Sequence, residues 1–305
     1  MGTLSDHRHP DSSENAAAFL DSLERWAGED RSTTTPALCH ALLAWLREAQ
    51  SAQPTMALVH QLAARALVMA ESSLSRGDSP ADTRRELAAS TAAERLDLAA
   101  SHEATARVAT QLVTGDSPWI ATLSDSSLVR QALLELKRAG RKPRALVAES
   151  RPGLEGRAFA ASLAAEGIES WLVADAALPM LLLQAQAVWI GADAVTELGV
   201  LNKIGSYVCA LAAREHSVPC WALATRRRFI PAGTKALAIA EQSPDAIWEA
   251  APKGVRPRNV LFELVPLELL RGVVVEDTVL GATEVGVTVS DRALPDALAS
   301  APATR

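Results

Sequence analysis

A change of texture at Gly115-Asp116-Ser117-Pro118 divides this chain into two segments that cannot share one architecture. Before it, from Ala16 to Val113, there is hardly a glycine, and apolar residues recur at intervals of three and four. Leu38, Leu42, Trp45 and Leu46 share one helical face; Met56, Val59, Leu62, Ala63, Ala66 and Met69 share another. Thr33 to Thr35 ahead of Pro36, and Asp78 or Ser79 ahead of Pro80, place a capping residue and an early proline where helices should start. From Ala81 to Val113 no Gly or Pro intervenes, so that stretch can be a single helix linking two parts of the molecule. The spacing predicts an all-helical domain over 16–114.

After the break, short apolar runs alternate with helical patterns. Runs at Trp119–Thr122, Ala145–Ala148, Ser170–Ala174, Ala187–Gly191 and Cys220–Ala224 read as buried strands. Helices are expected between them at about 126–138, 155–166, 176–184 and 203–215. Repeated strand–helix–strand units imply right-handed crossovers and a parallel sheet covered on both faces. The fold class is therefore α/β: a helical domain followed by a doubly wound, Rossmann-like domain over 115–295. Val260–Val265 and Gly272–Val275 should extend the same sheet, and Pro231 to Arg258 should be loop-rich. Residues 1–15 and 296–305 are expected to be disordered tails. Residues 1–15 carry no apolar core of a signal peptide, and no run approaches the roughly 20 apolar residues of a spanning helix.

Charge and cysteine usage exclude several function classes. The 30 Lys and Arg against 36 Asp and Glu leave a net charge of −6, the wrong sign for a mainly electrostatic nucleic-acid binder. Cys39, Cys209 and Cys220 form no CxxC pair and cannot scaffold a disulfide fold. They fit a reducing, cytoplasmic setting. The six histidines are scattered without metal-ligand spacing, so no metal and no other cofactor is expected. A glycine-rich dinucleotide fingerprint and a GxxxxGK[ST] loop are both absent.

In a doubly wound sheet, ligands lie beyond the carboxyl ends of the strands. The residues there are Thr122 and Ser124 to Ser127, Glu149 to Pro152, Asp175, Asp193, then Thr225 with Arg226-Arg227-Arg228. Asn202, Lys203, Gly205 and Ser206 are read as opening the helix after Asp193. Small hydroxyl residues at a helix start, with basic side chains nearby, suit a phosphate. The same residues admit plainer roles. Ser126 and Ser127 can be ordinary N-caps, the arginine run a solvated surface, and Asp193 a capping residue. Cys209 and Cys220, in apolar surroundings, read as core thiols.

Several of these residues carry a family likeness. Gly191-Ala192-Asp193 followed by Asn202-Lys203-Ile204-Gly205-Ser206, and then by Ala210 to Pro219, resembles one superfamily. It comprises the alpha, beta and delta subunits of initiation factor two-B, methylthioribose-1-phosphate isomerase and ribose-1,5-bisphosphate isomerase. Glu149-Ser150-Arg151-Pro152 with Gly156-Arg157, Asp175-Ala176-Ala177, and Asn259 to Glu263 with Pro266 and Leu269 resemble its other conserved stretches. The likeness implies a helical domain, a Rossmann-like domain and homodimers or higher assemblies. In the active isomerases of that superfamily, a cysteine after the first strand and the aspartate of Gly-Ala-Asp shuttle a proton between sugar carbons, without a metal.

This chain keeps the aspartate as Asp193 but has Ser124 at the cysteine position, beside Leu123 where a histidine is expected. The Arg-Gly-Ala element near the N-terminus is missing, and the loop Val195 to Gly199 is one residue short. The resemblance thus implies a protein that binds a sugar phosphate or nucleotide monophosphate without catalysis. Its pocket would be formed by Ser124, Ser126, Ser127, Arg151, Asp193, Asn202 and Lys203, with Arg151 and Lys203 on the phosphate. The competing expectation is an aldose–ketose isomerase of phosphorylated ribose working through Asp193. Partners expected are that small ligand and further copies of the chain, with no direct nucleic-acid contact and no membrane. Arg151, Arg157, Lys203 and Arg226 to Arg228 together predict one basic pocket in an acidic protein.

Overall fold

The computed structural model describes residues 11–234 and 238–299. Four helices come first: α1 (Ser12–Glu29), α2 (Thr35–Ala52), α3 (Ala57–Arg76) and α4 (Pro80–Thr110). Their starts obey local chemistry. Thr34 and Ser79 accept hydrogen bonds from Ala37 and Asp82 N–H groups ahead of prolines in the first turns. Ser79→Ala removes one such acceptor and should lower stability by about 1 kcal/mol in urea denaturation. Helix α4 buries Leu87 among the other three helices and Ala106 and Ala109 against the sheet, so one helix joins two cores.

The second half runs β1 (Trp119–Thr122), α5 (Ser127–Arg138), β2 (Arg144–Ala148), α6 (Glu155–Ala165), β3 (Glu169–Val173), α7 (Leu178–Leu181), β4 (Ala187–Ile190), β5 (Ala194–Thr196), β6 (Gly199–Lys203), α8 (Ser206–Glu215) and β7 (Cys220–Leu223). It ends with α9 (Asp245–Trp248), β8 (Phe262–Pro266), β9 (Gly272–Val274), β10 (Val279–Leu280), α10 (Ala282–Ser290) and α11 (Asp296–Ala299). The main sheet has the order β10-β9-β7-β4-β1-β2-β3, parallel except for β10. Its central strand β4 is wholly buried, as a continuous apolar run in a two-sided parallel sheet must be. Chain order reverses at β1, where β4 and β2 flank it. That reversal opens the crevice in which ligands of such sheets bind.

Three expectations need correction. The run read as a further strand of the main sheet, Val260 to Val265, yields β8, which pairs antiparallel with β6 in a separate sheet of order β5-β6-β8. Asn202 and Lys203 do not open a helix. They end strand β6, opposite Glu263 and Phe262, and α8 starts only at Ser206. The stretch 176–184 is a broken set of short turns around α7, with Pro179, which has no N–H to continue a helix from the preceding turn, in its first turn.

The segments read as tails are also partly structured. Helix α1 begins at Ser12, where Asp11 and Glu14 form a reciprocal capping box, and α11 occupies Asp296–Ala299. Residues 1–10 and 300–305 lie outside the described residues. No helix among the described residues is long and apolar enough to cross a membrane.

The helical half is not closed on itself. Ala194, Leu201, Ile230, Leu261, Phe262, Leu294 and Leu298 all join the apolar core that α1, α2 and α3 build. Arg227, in the turn after β7, forms ion pairs with Glu94 and Asp97 of α4. Arg47 of α2 donates to the Ala297 carbonyl at 3.0 Å.

Candidate functional site

The loops beyond β1 and β2 are held in an uncommon backbone state. Ser124, Ser150 and Leu154, none of them glycine, have φ values of 61°, 66° and 62°. Left-handed conformations in such residues persist only where surrounding bonds enforce them. Here the Ser124 N–H donates to Ser150 Oγ at 2.6 Å, and the Ser150 and Arg151 N–H groups donate to the Asp175 carboxylate at 2.6 and 2.7 Å. Asp175 is thus a fastener for the Glu149–Pro152 loop. Glu149 is in turn bound by Arg157, whose Nε lies 2.7 Å away.

Two glycines allow the elements to close around one point. A β-carbon on Gly156 would lie 1.8 Å from the Ala148 carbonyl oxygen, so α6 can start tight against the end of β2 only with glycine there. That contact turns Glu155 inward. A β-carbon on Gly191 would sit 2.9 Å from Ser126 Oγ, so the end of β4 and the start of α5 meet directly.

Between these ends lies a cavity of about 40 Å³. Ser124, Ser126, Asp193, Asn202 and Lys203 all line it, as expected from the sequence, together with Asp11, Glu155 and Arg228. Ser126 also caps α5 by accepting from the Val129 N–H at 3.4 Å, so its plain role and its place in the site coexist. Asp193 precedes strand β5; its backbone carbonyl accepts from the Ala57 N–H at the start of α3 at 3.0 Å, which leaves its side chain to the cavity. Asn202 donates to Ser206 Oγ at 2.8 Å.

Arg151 and Ser127 stand apart. Arg151 lines a separate, mostly apolar cavity of about 350 Å³ with Asp175, Leu178 and Cys209, sharing only Leu123 with the first. Ser127 faces an outer cleft shared with Asp11, Asp125 and Arg130.

The basic pocket expected from the arginines is largely neutralised. Arg226 binds Asp277 at 2.7 Å, Arg157 holds Glu149, and Arg227 is committed to α4. Only Arg228 of the triplet reaches the cavity. It is buried, and it donates to the Ala192 carbonyl and to Ser13 Oγ. Lys203 is 2.5 Å from Glu155, and both are almost wholly buried.

Sequence reasoning missed Asp11, Glu155 and the particular part played by Arg228. The pattern Asp11-Ser12-Ser13-Glu14 is a readable capping box. Nothing local announces Glu155, because its partner is 48 positions away.

Electrostatically, the cavity separates its carboxyls. Burial pushes Asp193 up to about 7, with Asp11 adding to the shift and Arg228 and Lys203 opposing it. Asp11 is half-buried, and the water it loses there raises it. Hydrogen bonds from the Glu14 and Ser127 N–H groups and the Ser127 hydroxyl, with Arg228 close by, nevertheless hold it below the ordinary carboxylate value. One carboxyl is therefore poised to take or give a proton near neutrality, beside one that stays ionised. Burial pushes Cys209 up to about 12 and Cys220 well above the usual thiol value, so neither supplies a thiolate. Among the described residues no group of three or more His, Cys, Asp or Glu is placed to hold a metal ion.

A family model described as the Initiation factor 2 subunit family matches residues 10–282. Over 215 residues the chain is 31% identical to a Pyrococcus horikoshii protein named as an eIF-2B subunit 2-like translation initiation factor, covering 70% of this chain and 73% of that one. Over 167 residues it is 30% identical to the ribose 1,5-bisphosphate isomerase of Archaeoglobus fulgidus, covering 53% of each. The crystal structure of the Pyrococcus horikoshii translation initiation factor eIF-2B shares its fold with a TM-score of 0.75 and 25% identity, over 90% of this chain and 93% of that one.

Proposed function

Since the chain belongs to the Initiation factor 2 subunit family, which holds eIF-2B-like proteins and sugar-phosphate isomerases, we propose that it binds a small phosphorylated sugar or nucleoside monophosphate without converting it. The carrying observation is the pairing of Asp193 with a hydroxyl where proton shuttling needs an acid. Ser124 and Asp193 line the same cavity, with buried Leu123 preceding the serine. A cysteine there would titrate near about 8.5, whereas an unassisted serine hydroxyl is a far weaker acid. Lys203, Asn202 and Arg228 supply the cation and donors that a phosphate ester uses.

Titration calorimetry against pentose phosphates, hexose phosphates and AMP tests this reading. Binding of at least one is expected. Failure of every compound, with the wild type and with the Asp11 variants described below, would sink it.

A second reading has one observation in its favour, the near-neutral titration of Asp193, which is the range a general acid or base needs. On that reading the chain isomerises ribose 1,5-bisphosphate or methylthioribose 1-phosphate, and Asp193→Asn abolishes turnover. No product from either compound is the outcome expected here.

Self-association is part of the same proposal. Met180, Leu183, Tyr207, Val208 and Leu264 leave apolar side chains exposed on neighbouring α7, α8 and β8 and on the turn after α7. A patch of this kind marks an interaction surface. Light scattering should give a mass above that of one chain, and Val208→Asp should lower it.

A further inference from the structure

Asp11 does two jobs with one carboxylate. Its Oδ1 accepts from the Ser13 and Glu14 N–H groups at 2.9 and 2.8 Å, capping α1, while its Oδ2 accepts from the Ser127 N–H at 2.9 Å, at the first residue of α5. The start of a twelve-residue helix beyond β1 is where an anion should sit in such a sheet. A side-chain anion from another part of the chain already sits there. The first turn of α1 comes with it: Ser13 Oγ is 2.8 Å from Ser127 Oγ and accepts from Arg228 at 3.1 Å.

Arg228 gives an independent sign that something further can bind. It is buried and lines the cavity, yet its Nε has no partner, and Oε2 of Glu155, which lines the same cavity, has none either. A buried donor of a charged group left unmade is costly unless a ligand completes it. The space is also too small as it stands. About 40 Å³ has room for a few waters, at about 10–15 Å³ each, and not for a sugar phosphate. Three carboxyls, Asp11, Glu155 and Asp193, already face the two cations Lys203 and Arg228, while Asp125 is matched by Arg130 at 2.7 Å. With Asp193 raised to about 7, Asp11 and Glu155 already balance both cations near neutrality, so a dianion added to this set would find no surplus positive charge to hold it.

We infer that Asp11 determines which ligands the site accepts: its carboxylate is a built-in anion on α5, and a phosphate monoester enters by displacing it together with the first turn of α1. The inference rests on reading the cavity as a phosphate site. It restricts the ligand to an anion that can replace a carboxylate at the Ser127 N–H and satisfy Arg228 Nε. Neutral sugars cannot make that exchange.

The test uses the full chain with inorganic phosphate and ribose 5-phosphate as probes. Asp11→Asn removes the charge and keeps one acceptor oxygen, enough to cap one of the two helix starts; Asp11→Ala removes the charge and both acceptors. Each variant should bind the probes about tenfold tighter than the wild type. Amide hydrogen exchange in the first turn of α1 should quicken when ribose 5-phosphate binds the wild type, a response that a purely structural cap would not give. Binding by the variants alone is the same result in stronger form. Equal or weaker binding by both folded variants, or unchanged exchange on binding, overturns the role of Asp11 while leaving the phosphate site standing. No binding by any of the three proteins overturns both.

Discussion

Lys203→Met is expected to lower stability by about 3–5 kcal/mol, the cost of breaking a buried ion pair from one side. Lys203 ends β6 and Glu155 begins α6, and the two charged atoms are 2.5 Å apart at 4% and 2% residue exposure. Glu155 Oε2 has no other partner, so losing the ammonium leaves a carboxylate with nothing to replace the water it gave up. The pair as a whole need not be stabilising. Replacing both residues, as Lys203→Met with Glu155→Leu, should recover most of the loss, because apolar residues of similar volume carry no desolvation penalty. Urea denaturation of the two single variants and the double variant measures the coupling. A loss under about 1 kcal/mol for Lys203→Met would mean that water reaches Glu155.

Asp193→Asn should stabilise the protein, increasingly so as pH rises. The folded state holds this carboxyl up to about 7, against an ordinary value of 3.8. Between those limits the unfolded chain has released the proton and the native one has kept it, so raising the pH favours unfolding. The wild type thus loses stability from this group as pH climbs from 3.8 towards 7. Above that range the ionised Asp193 costs up to about 4 kcal/mol, at 1.36 kcal/mol for each unit of pKa. Asparagine cannot ionise, so the difference between variant and wild type should be near zero at pH 4 and level off above about pH 7. Other titrating groups are common to both proteins and cancel. Denaturation midpoints at pH 5 and pH 8 decide it. A difference that does not change with pH would place Asp193 in contact with water.

The contrast between these residues and the strands explains how much could be read from sequence. β2 and β4 are continuous apolar runs between turn residues, and a pattern of that kind needs no knowledge of distant positions. The helix starts at Thr34 and Ser79 were equally local. The hairpin of β5 and β6 was not. Its Asn202 and Lys203 look like loop or helix-start residues, because polar groups in a wholly buried strand make sense only once Ser206 and Glu155 are placed beside them. β8 shows the same limit differently. Its apolar run says strand, but only topology says which sheet. Of the candidate site residues, Ser124, Ser126 and Asp193 share the cavity because they follow neighbouring parallel strands, and Asn202 and Lys203 join them from the second sheet. Arg151 failed to join them because Asp175 turns its backbone toward the neighbouring cavity.

The core that the helices share with β5, β6 and the C-terminal residues carries a consequence for how this chain can be cut. Leu294 and Leu298 are 7% and 0% exposed because they lie against the opening helices, so α11 and the residues before it act as a strap across the first third of the chain. A fragment ending at residue 114 would shed that strap and uncover the apolar floor beneath it. A fragment starting there would lose Asp11 and Met56 from the wall of the cavity. The helices are therefore not a detachable module appended to a ligand-binding fold. They form one side of the polar cavity between the strand ends, and whatever loosens one half is transmitted to the other through shared packing.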